Sequence, residues 1–438
     1  MLLSSSVLEQ LAVQLSGASD RLRVATVPID CEPLAVVRAG ARLFGRSSYF
    51  RSPAGEEVAG LGAAVLLSAA GLDRFAGLEG QLEHLQLPAE VRLPMGFSFN
   101  PNGPYAPEWD GFGALDALLP EATVVSDSAG GRLIVAAAPG MESNTIIEAL
   151  GALSPWDAPP HPDPGGHTVE SVPATVNWQG EVAEAIGAIR EGAFDKVVLA
   201  RSVQVESERA TDPYDLVHHL VAANPIGYVY ATVVGETAFV GASPELLLAR
   251  TGKRIAANPL AGSARRGKGD DDAAVGRALL TSDKDRAEHA IVVDDLASRL
   301  GRLTTELDYP DVPSLRRMAT VQHLSTEITG VLRPDVSTCD VLASIHPTPA
   351  VGGTPRAEAL AFIDKVEGLD RGWYSGGIGW IEPGGRAVVA LALRCALLRG
   401  RTSRLYAGNG IVAGSDPAAE LAETRLKFRP LLNLLAAT

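Results

Sequence analysis

A chain of 438 residues with 46% apolar side chains has material for one large core or about two to three ordinary domains. Its net charge of -14, with arginine and lysine scattered along the chain, excludes a nucleic-acid surface, because phosphate binding needs a concentrated positive field. No run approaches the ~20 consecutive apolar residues that cross a bilayer, and the longest candidate, Gly60 to Leu72, reads as core.

The N-terminal MLLSSSVLEQLAVQL lacks a basic start and spaces its apolar residues at helical intervals, so a helix is expected and not a secretory signal. Cys31, Cys339 and Cys395 lie far apart with one necessarily unpaired, which fits a reducing compartment and a cytoplasmic location. Through residue 153, short apolar runs alternate with glycine-rich turns, as in Arg132 to Pro139 after the turn signal Ser128-Ala129-Gly130-Gly131. This part carries no chemical signature and is read as scaffold.

Five prolines in SPWDAPPHPDPGG, from Ser154 to Gly166, mark a stiff linker or surface excursion over 154–170, with His161 and His167 as exposed loop residues. The region 171–438 opens with a helix carrying Val182, Ile186 and Ile189, followed by a strand from Lys196 to Arg201. Tyr228 to Val234 and Thr237 to Ala242 flank a Gly-Glu pair and predict an antiparallel hairpin, and Ala387 to Leu398 with Ser403 to Gly408 predicts a second. An antiparallel sheet with helices packed on it follows.

Several residues along this region could carry chemistry. Lys196 starts the apolar run KVVLA; it is either an exposed edge residue or a desolvated amine able to act as a base. Glu245 follows Gly241-Ala242-Ser243-Pro244; it is either an acidic first-turn residue or the acid of a couple with a lysine across a cleft. Asn258 to Ala274 reads as a loop in which Ala261, Gly262 and Ser263 could approach a ligand closely, with Asp270 to Asp272 solvated. Ser282 caps an expected helix whose stripe runs through Ala287, Ile291 and Leu300, leaving Glu288 beside that stripe and Asp294 and Asp295 in solvent. His323 and His346 read as core or loop histidines. Arg394 interrupts the apolar run ALALRCALL, a costly placement unless its guanidinium meets an anion.

Leu405 to Lys427 joins two features. Ala407-Gly408-Asn409-Gly410 ends a strand-like run where glycines with positive φ could turn backbone N–H groups toward an anion. Asp416 and Pro417 then open a helix with Glu420, Glu423 and Lys427 on one face. That face is either solvated, with a Glu423–Lys427 ion pair, or a carboxylate pair suited to a hard divalent cation.

In order, these blocks resemble the chorismate-utilising enzymes, and within them the isochorismate synthases. The resemblance runs from about Trp178 to Leu435 through KVVLAR, GASPELLL, NPLAGSARR, SDKDRAEH, HPTPAVGG, WYSGGIGW, ALRCALL, AGNGIV and ELAETRLK, and is looser in the N-terminal third. It implies an α+β fold in which two antiparallel sheets form a β-sandwich flanked by helices, with the N-terminal part, 1–153, belonging to the same fold. The active site would lie in a central cleft, and the enzyme would depend on magnesium.

The resemblance also assigns roles. Lys196 looks like the base that activates water for attack at carbon 2 of chorismate, and Glu245 like the acid that helps the carbon 4 hydroxyl leave. Glu288, Glu420 and Glu423 look like the magnesium-binding cluster. Arg394, Tyr374, Lys427 and the N–H groups of Gly408 and Gly410 look like the grip on a substrate carboxylate, with Gly262, Ser263 and His323 as further lining. Relatives that use ammonia or continue to salicylate have threonine where this chain has Ala350, so Ala350 looks like the isochorismate synthase choice. A salicylate synthase, an aminating enzyme of the anthranilate or aminodeoxychorismate type and a non-catalytic binding protein are the other readings. A monomer without an amidotransferase partner is expected, and the consuming pathway, siderophore or menaquinone, is left open.

Overall fold

The computed structural model describes residues 2–16, 20–155, 165–267, 269–318 and 320–435. Alternating apolar patterns become strands that pair antiparallel in every registered ladder, and the helices close over their outer faces, giving the expected α+β sandwich. The larger sheet has 12 strands: Arg23–Pro28, Gly130–Ala137, Ala122–Asp127, Glu57–Leu61, Arg46–Arg51, Tyr228–Val234, Thr237–Ser243, Cys395–Arg399, Thr402–Ile411, Lys196–Ser207 and Gly353–Thr354 in order, with His167–Val172 also on Lys196–Ser207. The second has 9: Thr304–Asp308, Ile328–Leu332, Arg254–Asn258, Leu246–Thr251, Arg386–Leu391, Gly377–Ile381, Leu93–Phe97, Leu115–Leu119 and Val65–Ala69. Strands from the first 140 or so residues enter both sheets, so the N-terminal part is woven into the sandwich.

Alternation assigns the layers. Val125 and Ile134 join a core with Leu115, Val389 and Leu391 of the other sheet, whereas Val124, Leu133 and Val135 face a second core formed with Leu11, Val36, Val217 and Leu431 of the outer helices. Among the described residues no helix is long and apolar enough to cross a membrane. The three cysteines are free thiols.

Local expectations meet several corrections. Asn258 to Ala274 is mostly regular: Leu260–Arg265 is a strand of a small 3-stranded sheet with Val321–Ser325 and Ser314–Arg317, and Asp270–Thr281 is a helix. Glycine and charge content masked both, and Asp272 pairs with Arg266 at 2.7 Å instead of being merely solvated. The helix after Ser282 spans Asp283–Gly301, but its buried stripe is His289, Val292, Val293, Leu296, Ala297 and Leu300; Ala287 is exposed. Asp295 pairs with Arg299 at 2.7 Å. In the proline-rich segment, 156–164, with His161, lies outside the described residues, and His167 begins a strand.

Ala387 to Leu398 is not one strand. Arg386–Leu391 belongs to the second sheet and Cys395–Arg399 to the first, and the chain changes sheets through Arg394 at φ 51. Beside it, Thr237–Ser243 leaves the first sheet and enters the second as Leu246–Thr251 through Pro244 and Glu245. The crossings are bonded to each other, Leu391 N to Glu245 O at 3.1 Å and Ala242 N to Arg394 O at 3.2 Å. Two charged residues of the sequence motifs therefore stand side by side where the sheets part.

Candidate active site

Lys196 is the first residue of its strand, held between Thr354 on one side and the Gly410–Ile411 end of Thr402–Ile411 on the other. Its side chain is only 1% exposed, and Nζ lies 2.9 Å from Glu288 Oε1. The exposed-edge reading is thereby removed. A buried ammonium needs such a partner.

Glu245 is also buried, at 4% exposure. Burial pushes its carboxyl up to about 8, against the Leu260 N–H, Lys196 and Arg394, which favour the ionised form. At neutral pH it holds a proton. Across the paired crossings, Arg394 has a left-handed backbone that a non-glycine residue adopts at a cost, a feature that clusters at functional sites. Burial lowers its pKa against the pull of Tyr374, Glu423 and Glu245, yet among the described residues no hydrogen bond or ion pair engages its guanidinium. Such a group is suited to an incoming carboxylate.

Gly408 and Gly410 lie within a strand and do not take positive φ, contrary to the sequence expectation. The opposite residues Val198 and Ala200 send their amides to Gly352 O and to the Glu367 carboxylate, away from this strand. In an antiparallel ladder, directly opposed residues exchange both bonds or neither, so Gly408 and Gly410 turn their peptide groups to the free edge, where Gly408 O accepts from Lys427 Nζ at 2.9 Å. The missing Cβ atoms matter as well: one on Gly410 would stand 2.7 Å from Glu288 Oε1 and 2.7 Å from Lys196 Cε. The left-handed glycine of the site is instead Gly262, at φ 66, packed on Asp285.

The helix Pro417–Leu435 starts as expected, with Asp416 accepting from the Ala418 and Ala419 amides. Lys427 bonds Glu423 at 2.8 Å and Asn409 Oδ1 at 2.6 Å, and Asn409 Nδ2 donates to Glu420 at 2.9 Å. Burial, then the nearby Glu423 charge, raises Glu420 above its ordinary value; burial also pushes Glu423 up, but Lys427 outweighs it and holds Glu423 low. His323 pairs with Ser263 across two strands, its Nδ1 3.0 Å from Ser263 Oγ and 3.3 Å from Gly262 O. Burial, reinforced by Arg394 and Lys427, lowers it to about 3 and keeps the imidazole neutral. Tyr374 stacks on Tyr406 with centroids 5.5 Å apart, and burial raises its phenol to about 12.

One cavity of about 110 Å³ collects Lys196, Glu245, Gly262, Ser263, Glu288, His323, Ala350, Tyr374, Arg394, Gly408, Gly410, Glu420, Glu423 and Lys427. None of the site residues expected from the sequence falls outside it. It also takes in Lys284 and Asp285, which the sequence reading missed although Lys284 sits one helical turn before Glu288.

The carboxylates here are the oxygen donors that a hard divalent ion takes, but among the described residues no three His, Cys, Asp or Glu side chains converge into a ready cage. Glu288 is held by Lys196, Glu420 by Asn409 and Glu423 by Lys427. This set fits an ion that keeps several waters and takes further oxygens from an anionic ligand, as magnesium does.

The chain belongs to the chorismate binding enzyme family, whose sequence pattern matches residues 9–436 and so takes in the N-terminal third. Within that family it is similar to isochorismate synthases. It is 36% identical over 391 residues to the salicylate biosynthesis isochorismate synthase of Pseudomonas aeruginosa, covering 86% of this chain and 82% of that protein. It is 34% identical over 346 residues to isochorismate synthase MenF of Bacillus subtilis, covering 78% and 74%. Its structure superposes on MenF, the menaquinone-specific isochorismate synthase from Escherichia coli, with a TM-score of 0.86 at 27% identity over 98% of this chain and 99% of that one.

Proposed function

We propose that this chain interconverts chorismate and isochorismate, with Lys196 as base and Glu245 as acid. Acting as base, Lys196 takes a proton from water as the water oxygen bonds carbon 2; the ring double bonds shift, and the carbon 4 C–O bond breaks as Glu245 gives its proton to the departing hydroxyl. One water enters and one leaves, so the step is reversible and needs no redox partner. The observation that carries this reading is Glu245, whose carboxyl burial holds protonated up to about 8 while it lines the same cavity as Lys196.

The substrate carries two carboxylates and needs two positive poles. Arg394, Tyr374, Lys427 and the Gly408 and Gly410 amides form one. Glu288, Glu420 and Glu423 would hold magnesium as the other, and the ion would supply fixed positive charge for the second carboxylate. Glu288 is shared, since it also bonds Lys196 Nζ at 2.9 Å. Ala350 leaves the nucleophile's approach free of a hydroxyl, in keeping with water and not ammonia as the attacking group.

Incubating the purified chain with chorismate and magnesium and identifying the products tests this. Isochorismate alone is expected; pyruvate with salicylate would replace the assignment by a salicylate synthase, and bound but unchanged chorismate by a binding protein. Lys196→Ala should bind chorismate without turning it over. Appreciable isochorismate from that variant would remove the base role.

A further inference from the structure

The edge of the strand Lys196–Ser207 is covered in an unusual way. Gly353–Thr354 pairs only with Lys196 and Val197, and His167–Val172 pairs only from Ser202 onward. Between them, among the described residues, no strand lies against this edge. Its four backbone groups are satisfied instead by Gly352 O on Val198 N at 2.8 Å, Arg371 Nη2 on Val198 O at 2.8 Å, Glu367 Oε2 on Ala200 N at 2.9 Å and Trp178 Nε1 on Ala200 O at 3.1 Å.

Glu367 and Arg371 lie four residues apart in the segment that follows the helix Arg356–Val366, both side chains 2% exposed, and bonded twice, at 2.5 and 2.7 Å. Arg371 also donates through Nη1 to Val351 O at 2.8 Å, next to Ala350, and its backbone carbonyl accepts from Tyr374 N at 3.0 Å. Phe99 packs on the guanidinium with its centroid 4.1 Å away. A fully buried ion pair is a poor stabiliser, since apolar residues of similar volume often serve stability as well or better. What apolar residues cannot do is hold the Val198 and Val351 carbonyls, on two separate segments, at fixed angles, which is what a guanidinium fork does.

We propose that the Glu367–Arg371 pair is a positioning device for the reaction: it fixes the strand that begins with Lys196 against the segment carrying Ala350 and the start of the Tyr374 turn. The spacing between the base and the walls that aim water at the ring is then set by one ion pair outside the cavity. This rests on the proposed isomerase reading. Misplacement of a reacting group by about 1 Å costs on the order of 100-fold in rate, so small shifts of this pair should be visible in turnover.

The test uses Arg371→Lys and Glu367→Gln in the full chain, with Arg92→Lys as control. Arg92 is buried in a carboxylate cluster of its own, with Asp127 at 2.7 Å and Glu382 at 2.8 Å, and lines no part of the cavity. Melting temperature, equilibrium chorismate binding, kcat and KM are measured for each. Glu367→Gln keeps the shape of the side chain and turns an amide donor toward the Ala200 N–H or the Arg371 fork. Both test variants should lose about 30- to 100-fold in kcat with chorismate affinity within about threefold of the wild type, while the control loses stability without that split. A kcat loss no larger than the control's, a loss of binding that parallels kcat, or collapse of both test variants would make the pair structural and overturn the proposal. A wild-type chain that makes no isochorismate would overturn the function and this inference together.

Discussion

Replacing Glu245 by glutamine separates what the carboxyl costs the fold from what it gives the reaction. Its pKa is raised from 4.5 to about 8, with burial the largest cause. At about 1.4 kcal/mol per tenfold, a difference of that size amounts to roughly 5 kcal/mol, the right order for a fully buried carboxyl. The direction follows from linkage. Below 4.5 the folded and unfolded chains both keep the proton and no stability is lost. As pH climbs toward 8 the unfolded chain ionises while the folded one does not, so stability falls steadily; beyond 8 the loss is complete. Glutamine has no proton to give up. The variant should therefore match the wild type in acid and exceed it by a few kcal/mol at pH 8.5, read from guanidinium chloride unfolding of both proteins at the two pH values, a difference in which every other titrating group cancels.

The same substitution should abolish isochorismate formation, because a neutral amide cannot protonate the departing hydroxyl. In the wild type, kcat/KM should fall about tenfold per pH unit above roughly 8 as the acid is lost. A stability difference between the two proteins that is the same in acid and at pH 8.5, or a variant that turns over normally, would refute the reasoning.

Gly410→Ala should fold, since the backbone there is an ordinary strand, but its Cβ would stand 2.7 Å from both Glu288 Oε1 and Lys196 Cε; kcat should drop by about 100-fold or more with an unchanged melting curve. Arg394→Gln should weaken chorismate binding by about 2–5 kcal/mol, the loss typical of a desolvated charge partner, without lowering the melting temperature, because among the described residues no hydrogen bond or ion pair engages the guanidinium; equilibrium binding and thermal unfolding check the two halves. Chelation of divalent ions should stop product formation and magnesium should restore it. Glu420→Gln should raise the magnesium needed for half-maximal rate about tenfold, the scale set by loss of a metal-binding contact, and activity unchanged by chelator would remove the cation from the reading.

Much of the site was legible because its residues break the patterns around them. Arg394 stands in an apolar run, Lys196 opens one, and Glu420, Glu423 and Lys427 repeat at helical spacing; each is an exception that burial makes costly. The hairpin at Gly235 and the caps at Ser282 and Asp416 were legible for the opposite reason, since turn and cap chemistry is local. Lys284 stayed hidden because a lysine in a helix first turn resembles any surface lysine. The strand Leu260–Arg265 stayed hidden because small residues and two arginines look like a loop until a partner strand pairs with them.

What spacing and composition could not reveal is how the charged exceptions meet. Ala387 to Leu398 has the alternation of one continuous strand, and only the two-sheet arrangement shows why it must break at Arg394: the run feeds Leu391 to one sheet and Cys395 to the other. The same is true of Ser243 to Leu246. A proline there ends one strand, and a second begins at once in the opposite sheet. Since these two segments pair with each other on both sides of the gap, their turning points are forced into register. A protonated carboxyl and a guanidinium that no described side chain bonds thus come to line one cavity through long-range strand pairing, which no local window of sequence contains.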